Sequence, residues 1–389
     1  MPSEYKIMVV AGEASGDLHA AKLVRALRAT SPEDRFAFFG AGSSALRTAG
    51  METVVNADNM SVVGLPEIAK AIPMFLRAFR DLKRAAVERR PDAVILVDFP
   101  DFNLKLAKSL KKRGLRIVYY ISPQLWAWRK YRLRTIKKFV DLVITILPFE
   151  KSWYAEHGVH HVEYVGSPLA REVHAASSKE VFCFRHGLDP GRPIVSLLPG
   201  SRHKEITNIL PTMIEAAARM AAKDDRIQFV IALASARRKS EVDDAFERAG
   251  KLRTDLLQRT VVVTGETYDA LNASDAAAVA SGTATLETGI IGTPMAIVYK
   301  TSKLNYKLLR PLISVEHFGL INLIAEQRVA TEMIQDDFTA QGLADELFRL
   351  LDPAVNDEVR SQLREATDKL GHGGASARAA ELILKLIWG

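Results

Sequence analysis

Up to Gly166-Ser167-Pro168, short apolar runs alternate with stretches in which apolar residues recur every three or four positions. The runs are Ile7–Ala11, Phe36–Phe39, Ala93–Val97, Arg116–Ile121 and Leu142–Leu147, each of strand length. Such alternation predicts a parallel sheet built from βα units, since a parallel strand needs a crossover before the next one. The pattern pauses at Gly166-Ser167-Pro168 and restarts at Ile194–Leu198, Gln228–Leu233, Thr260–Val263, Ala276–Ala280 and Met295–Tyr299. It therefore predicts two α/β domains, residues 1–168 and 169–372. A final stretch, 373–389, is helical by composition and follows a Gly-rich break at Gly371-His372-Gly373-Gly374. No apolar run reaches the roughly 18 residues needed to span a bilayer. Lys6–Ala11 runs straight into a Gly-containing turn and reads as a first strand rather than a signal peptide, so a cytoplasmic location is expected.

Composition narrows the class without naming a chemistry. The 389 residues are 48% hydrophobic and 25% charged, which excludes disorder, collagen-like repeats and coiled coil. The single cysteine, Cys183, excludes an internal disulfide framework and a Cys-based zinc site, and its apolar neighbours mark it as a small buried hydrophobe. The net charge of +7 hides a segregation: Lys70–Val140 holds 19 Lys and Arg against 5 Asp and Glu, a local balance of +14. Within that stretch Ile68, Ile72, Phe75, Leu76, Phe79 and Leu82 share one side of a helix, flanked by Lys70, Arg77, Arg80, Lys83 and Arg84. Two uses fit this pattern: a helix lying in an anionic membrane interface, or a core-facing helix with a solvated basic side. Pro73 argues against one continuous helix. Aromatic residues do not recur there at nucleic-acid spacing, so nucleic acid is not expected as a partner.

Five segments at expected strand ends carry candidate chemistry. Gly12-Glu13-Ala14-Ser15-Gly16-Asp17 opens a helix after the first strand, where free N–H groups favour negative charge, with Asp17 or Ser15 as cap in the plainer reading. Asp98-Phe99-Pro100-Asp101-Phe102-Asn103 follows the Ala93–Val97 strand; Asp98, with its pKa raised by apolar neighbours, is the candidate base, and Asp101 or Asn103 can cap the next helix. Ser122-Pro123-Gln124-Leu125-Trp126-Ala127-Trp128-Arg129 suits a pocket that holds an apolar and an anionic group. In the second half, Leu198-Pro199-Gly200-Ser201-Arg202 offers Arg202 for bidentate phosphate binding. Ser281-Gly282-Thr283-Ala284-Thr285-Leu286-Glu287 is expected to cradle a diphosphate on the Ser281, Gly282 and Thr283 amides and to bind ribose hydroxyls with Glu287.

In this order the five segments resemble the lipid-A-disaccharide synthase family of glycosyltransferases, from Gly12 to Gln327. The resemblance implies a GT-B fold, two Rossmann-like domains facing a central cleft, with the C-terminal helix 373–389 crossing back to the first domain. It implies condensation of UDP-2,3-diacylglucosamine with 2,3-diacylglucosamine 1-phosphate to a β-1,6-linked disaccharide 1-phosphate and UDP. It further implies Asp98 and Arg202 as catalytic residues and a donor site of Arg202, Ser281, Gly282, Thr283, Glu287, Asn322 and Gln327. The acceptor site would comprise Gly12, Glu13, Ser15, Gly16, Asp101, Asn103, Trp126 and Arg129. No metal and no cofactor are implied. Because both substrates are lipids, the enzyme is expected to bind the anionic inner-membrane surface peripherally through Ile72, Phe75, Leu76 and Phe79; a homodimer stays open. Another UDP-sugar enzyme of the same fold, a peptidoglycan glycosyltransferase or an epimerase, is the alternative. Two positions depart from the family pattern: Ser167 stands where His is common, and Ile321 where Pro precedes the Asn.

Overall fold

The computed structural model describes residues 3–58, 68–235, 239–248, 256–302, 306 and 317–389. It divides into two compact units, residues 1–168 with 373–389, and residues 169–372.

The first unit is built on a parallel seven-stranded sheet. Its strands are β1 (Glu4–Ala11), β2 (Arg35–Gly42), β3 (Glu52–Asn56), β4 (Ala93–Val97), β5 (Ile117–Tyr120), β6 (Leu142–Thr145) and β7 (Val162–Tyr164). Their order is β3-β2-β1-β4-β5-β6-β7. β4 and β5, and β1 from Ile7 onward, are apolar and buried at every position because helices cover both faces. Ile7, Val9 and Ala11 meet the Ala14–Thr30 and Ala375–Trp388 helices on one face, while Met8 and Val10 meet the Ile68–Arg89 and Pro100–Lys111 helices on the other. The C-terminal helix buries Ala379, Ala380, Ile383, Leu384 and Ile387 in this core. Burying each of its large aliphatic side chains contributes about 1.5–3 kcal/mol, so the last turns of the chain are structural to the first unit.

The second unit repeats the plan with six parallel strands: β8 (Ile194–Leu198), β9 (Gln228–Leu233), β10 (Thr260–Thr264), β11 (Ala276–Ala280), β12 (Met295–Tyr299) and β13 (Thr331–Ile334). Their order is β10-β9-β8-β11-β12-β13.

The basic helix runs unbroken from Ile68 to Arg89, through Pro73. Its apolar positions divide between two sides. Leu82, Ala78 and Ala86 are buried, and Phe75 and Phe79 are half-buried against Phe99 and Phe102, with ring centroids 6.0–6.3 Å apart. Ile72 and Leu76 are 50% and 58% exposed. This corrects the expected docking face: Phe75 and Phe79 hold the helix to its own domain, and only Ile72 and Leu76 of the four point to solvent. The side chains of Ile68 and Lys70 lie outside the described residues. Among the described residues no helix is long and apolar enough to cross a membrane.

Candidate active site

In each sheet the winding direction reverses between two neighbouring strands, β1 and β4 in the first and β8 and β11 in the second. The loops leaving the carboxyl ends there turn to opposite faces and leave a crevice, which is where open α/β sheets bind ligands. Pairing of Ala11 with Val97 and of Leu198 with Val279 sets the loops side by side. Four of the five segments chosen from the sequence thus stand at the two reversal points.

At the first point, Asp98 and Phe99 both adopt left-handed backbone, with φ of 46° and 50°. For non-glycine residues this costs about 1–3 kcal/mol each, so surrounding contacts must hold it. Burial pushes the Asp98 carboxyl up to about 6, with the Glu13 charge adding and the Phe99 amide opposing. Such a group is ionised at neutral pH yet basic enough to take a proton from a reacting hydroxyl. Gly12 is required by Phe99, since a Cβ there would lie 2.4 Å from the ring. Glu13 caps the Ala14–Thr30 helix by backbone alone, leaving its exposed carboxylate and Ser15 beside the helix N-terminus, with Gly16 buried in the first turn. Asp17 caps a different helix: its carboxylate accepts from the amides of Ser43 and Ala45, at the start of Ser44–Thr48.

Three expected acceptor residues are otherwise engaged. Asn103 is fully buried and donates its side-chain amide to the carbonyls of Val97 and Asp98, so it has no surface to offer a substrate. Trp126 is 5% exposed; its ring packs edge-on to Phe149 and its Nε1 donates to Glu150, so it is a core residue. Asp101 neither caps a helix nor stands alone, because it pairs with Arg129 at 3.0 Å and with the buried Arg132. Arg129 also stacks over Trp128, 4.2 Å from the ring centroid, and its remaining guanidinium N–H groups have no hydrogen-bond partner among the described residues.

The second reversal point opens into a pocket of about 570 Å³. Leu198, Gly200, Ser201, Arg202 and Glu205 form one wall, Ser281, Gly282, Thr283, Ala284 and Glu287 another. Arg202 is the N-cap of the His203–Lys223 helix, and its side chain is 84% exposed and, among the described residues, paired only with Glu205 at 3.2 Å. An exposed pair of this kind is worth about 0–1 kcal/mol, so the guanidinium exchanges partners readily. Gly282, at φ 153°, turns the chain into the Thr283–Ile291 helix. The amides of Gly282, Thr283 and Ala284 have no partner among the described residues, whereas the Ser281 amide donates to Val298 and its hydroxyl to Phe318. Of the three amides expected to form a cradle, that of Ser281 is therefore engaged within the fold, and Ala284 takes its place as the third unpaired amide among the described residues. Glu287 accepts from the Tyr268 hydroxyl at 3.0 Å, and burial raises its pKa.

Asn322 is not a donor contact. It is wholly buried, and both ends of its amide are used: Nδ2 donates to Ala330 and Glu332, and Oδ1 accepts from the Val329 and Ala330 amides. Gln327 is exposed and does not line the pocket.

The sequence reading missed Tyr268, which lines the pocket beyond β10, and Glu150, wholly buried beyond β6 with its carboxyl pushed up to about 7 by burial. Both follow strands, so the strand-end rule applied at Thr260–Val263 and Leu142–Leu147 would have found them.

The family described as lipid-A-disaccharide synthetase matches residues 7–387. The lipid-A-disaccharide synthase of Myxococcus xanthus is 43% identical over 388 residues, covering 100% of this chain and 99% of the relative. That of Syntrophus aciditrophicus is 44% identical over 382 residues, 98% and 97% of the two chains. Among solved structures, a putative UDP-N-acetylglucosamine 2-epimerase from Listeria monocytogenes superposes with TM-score 0.66 at 15% identity, over 98% and 96% of the two chains. S. aureus MnaA, solved with UDP, gives 0.65 at 14%, over 99% and 98%. At those identities the structures share the fold alone, and the calicheamicin glycosyltransferase CalG4 (TM-score 0.60, 14% identity, 99% and 98% covered) shares it too. The family match and the identities along the full chain agree: this protein belongs to the lipid-A-disaccharide synthase family, with the GT-B fold of glycosyltransferases.

Proposed function

We propose that Asp98 is the general base of this glycosyltransferase and that the second domain's pocket holds the departing UDP. Family membership makes the chain a lipid A glycosyltransferase, acting on a UDP-sugar and a lipid-linked sugar phosphate and forming the lipid A disaccharide. The finer reading is a single in-line displacement with inversion, from UDP-2,3-diacylglucosamine to the 6-hydroxyl of 2,3-diacylglucosamine 1-phosphate. Asp98 takes the hydroxyl proton, the oxygen bonds to the sugar C1, and the C1–diphosphate bond breaks with its electron pair leaving on UDP. Arg202 and the Gly282, Thr283 and Ala284 amides meet the charge that develops on the diphosphate. Glu287 accepts from the ribose hydroxyls, and Glu13, Ser15 and Arg129 border the acceptor. The observation that carries the reading is Asp98 itself: a carboxyl raised to about 6 at the reversal point of the first sheet.

Docking on the anionic inner membrane belongs to the same reading, through Ile72 and Leu76 with the exposed Arg77, Arg80 and Arg84 on that helix. The test of the whole is UDP release from UDP-2,3-diacylglucosamine in detergent, with and without the acceptor. Acceptor-dependent release with a disaccharide phosphate in the mass spectrum supports it; release that ignores the acceptor overturns it.

A further inference from the structure

The left-handed turn at Asp98-Phe99 is held from beneath by two wholly buried side chains. The Asp98 carbonyl accepts from the Tyr119 hydroxyl at 2.6 Å and from Asn103 Nδ2 at 2.8 Å. Asn103 Nδ2 also donates to the Val97 carbonyl at 3.1 Å, so a single amide spans the last strand residue and the first loop residue. Tyr119 lies on β5 and Asn103 on the Pro100–Lys111 helix; both are wholly buried. The Asp98 amide continues the sheet by donating to the Tyr120 carbonyl at 3.2 Å. Phe99 is wedged over Gly12, where even a methyl group would collide with its ring.

Three elements therefore converge on one peptide unit. A two-residue turn at positive φ relaxes toward extended backbone unless it is restrained, and relaxation would swing the carboxylate at its first residue away from a reacting hydroxyl. Carbonyl oxygens have two lone pairs, and at Asp98 both are occupied by donors that cannot move without disturbing the core. We propose that Tyr119 and Asn103 are positioning residues of the transfer reaction: by fixing the Asp98 carbonyl, they hold the Asp98 carboxylate at its reactive angle and in its buried environment. This inference rests on Asp98 being the base.

Charged and titratable groups near the carboxylate come from each element around it. Glu13 faces it from the turn after β1 and raises its pKa; Tyr119 faces it from β5; Asp101 stands on the helix that follows, paired with Arg129 and Arg132 from the segment after β5. Loss of the Tyr119 or Asn103 bond leaves all these charges in place. What changes is how far the turn can carry the carboxyl toward water.

The experiment measures kcat, both KM values and the pH dependence of kcat for wild type, Tyr119→Phe, Asn103→Leu and Asp98→Asn. Tyr119→Phe removes one hydroxyl and keeps the ring in the core, so it stays folded even if Asn103→Leu does not. Expected for Tyr119→Phe is a fall in kcat of about tenfold, consistent with a small displacement of a reacting group, and KM values within about twofold of wild type. The acid limb of the profile moves to lower pH, because a freed carboxyl is better hydrated. A Tyr119→Phe enzyme with wild-type kcat and an unmoved limb, beside an inactive Asp98→Asn, overturns the positioning role and leaves the base in place. A rise in KM alone also overturns it. Activity retained by Asp98→Asn defeats the underlying reading instead.

Discussion

The two reversal points turn the chain by opposite means. At the first, the turn after β4 places two non-glycine residues, Asp98 and Phe99, at positive φ. At the second, both turns use glycine: Gly200 after β8 at φ 105° and Gly282 after β11 at 153°. A glycine turn needs no restraint and leaves backbone amides open to a ligand. A non-glycine turn must be held by its surroundings, and in return it presents a side chain at a fixed angle. The contrast matches two chemical tasks. In the proposed function a diphosphate is bound by amides and the exposed Arg202, whereas proton transfer needs one carboxylate in one place.

This contrast is broken most severely at Asp98. Asp98→Asn is expected to lower acceptor-dependent turnover by about 10²–10⁴-fold, the usual contribution of a general base, with UDP affinity unchanged by titration. The same substitution should stabilise the fold. The carboxyl's pKa is raised from 3.8 to about 6, so the wild type keeps full stability below pH 4 and loses it as pH rises through 6. Asn does not titrate, so its melting temperature should exceed that of wild type at pH 8 by the equivalent of about 2–3 kcal/mol, and the gap should close toward pH 4. A destabilised Asp98→Asn at pH 8 would mean that the carboxylate is held by partners rather than strained by burial.

Next in size, Arg202→Ala should weaken UDP binding about 10–100-fold by calorimetry, the worth of a charge-assisted hydrogen bond, and lower turnover as well. Gly282→Ala sharpens the backbone half of the comparison. A Cβ at 282 meets nothing, so only the φ of 153° resists it. The expected result is a loss of UDP affinity together with about 1–3 kcal/mol of stability; a variant with wild-type affinity would show that the turn is not used for binding. Smallest in its effect on turnover in detergent, Ile72→Glu with Leu76→Glu should reduce sedimentation with anionic vesicles and leave the melting temperature within a degree or two, since both side chains are exposed. Phe75→Glu with Phe79→Glu should instead unfold the helix from its domain, because those rings pack on Phe99 and Phe102.

Much of this was legible in the sequence, and what was not has a common cause. All ten apolar runs are strands in the structure. The three strands not foreseen, Glu52–Asn56, Val162–Tyr164 and Thr331–Ile334, lie at sheet edges, where one side meets solvent or a loop and the apolar pattern thins. Asp98, Arg202, Gly282 and Glu287 stand at the strand ends the sequence marks, because a strand end followed by small or charged residues is a local signal. Asn103, Trp126 and Asn322 were misread for the complementary reason. A polar residue next to a loop looks the same in sequence whether it faces a ligand or satisfies buried backbone, and only the fold shows that Asn322 closes four hydrogen bonds inside the protein.

The most direct test of the account is the pH dependence of disaccharide formation by the wild-type enzyme under single-turnover conditions, from pH 4.5 to 8. If Asp98 is the base, the rate rises about tenfold per pH unit below pH 6 and levels off above it. A rate that stays flat through pH 6 would contradict the assignment.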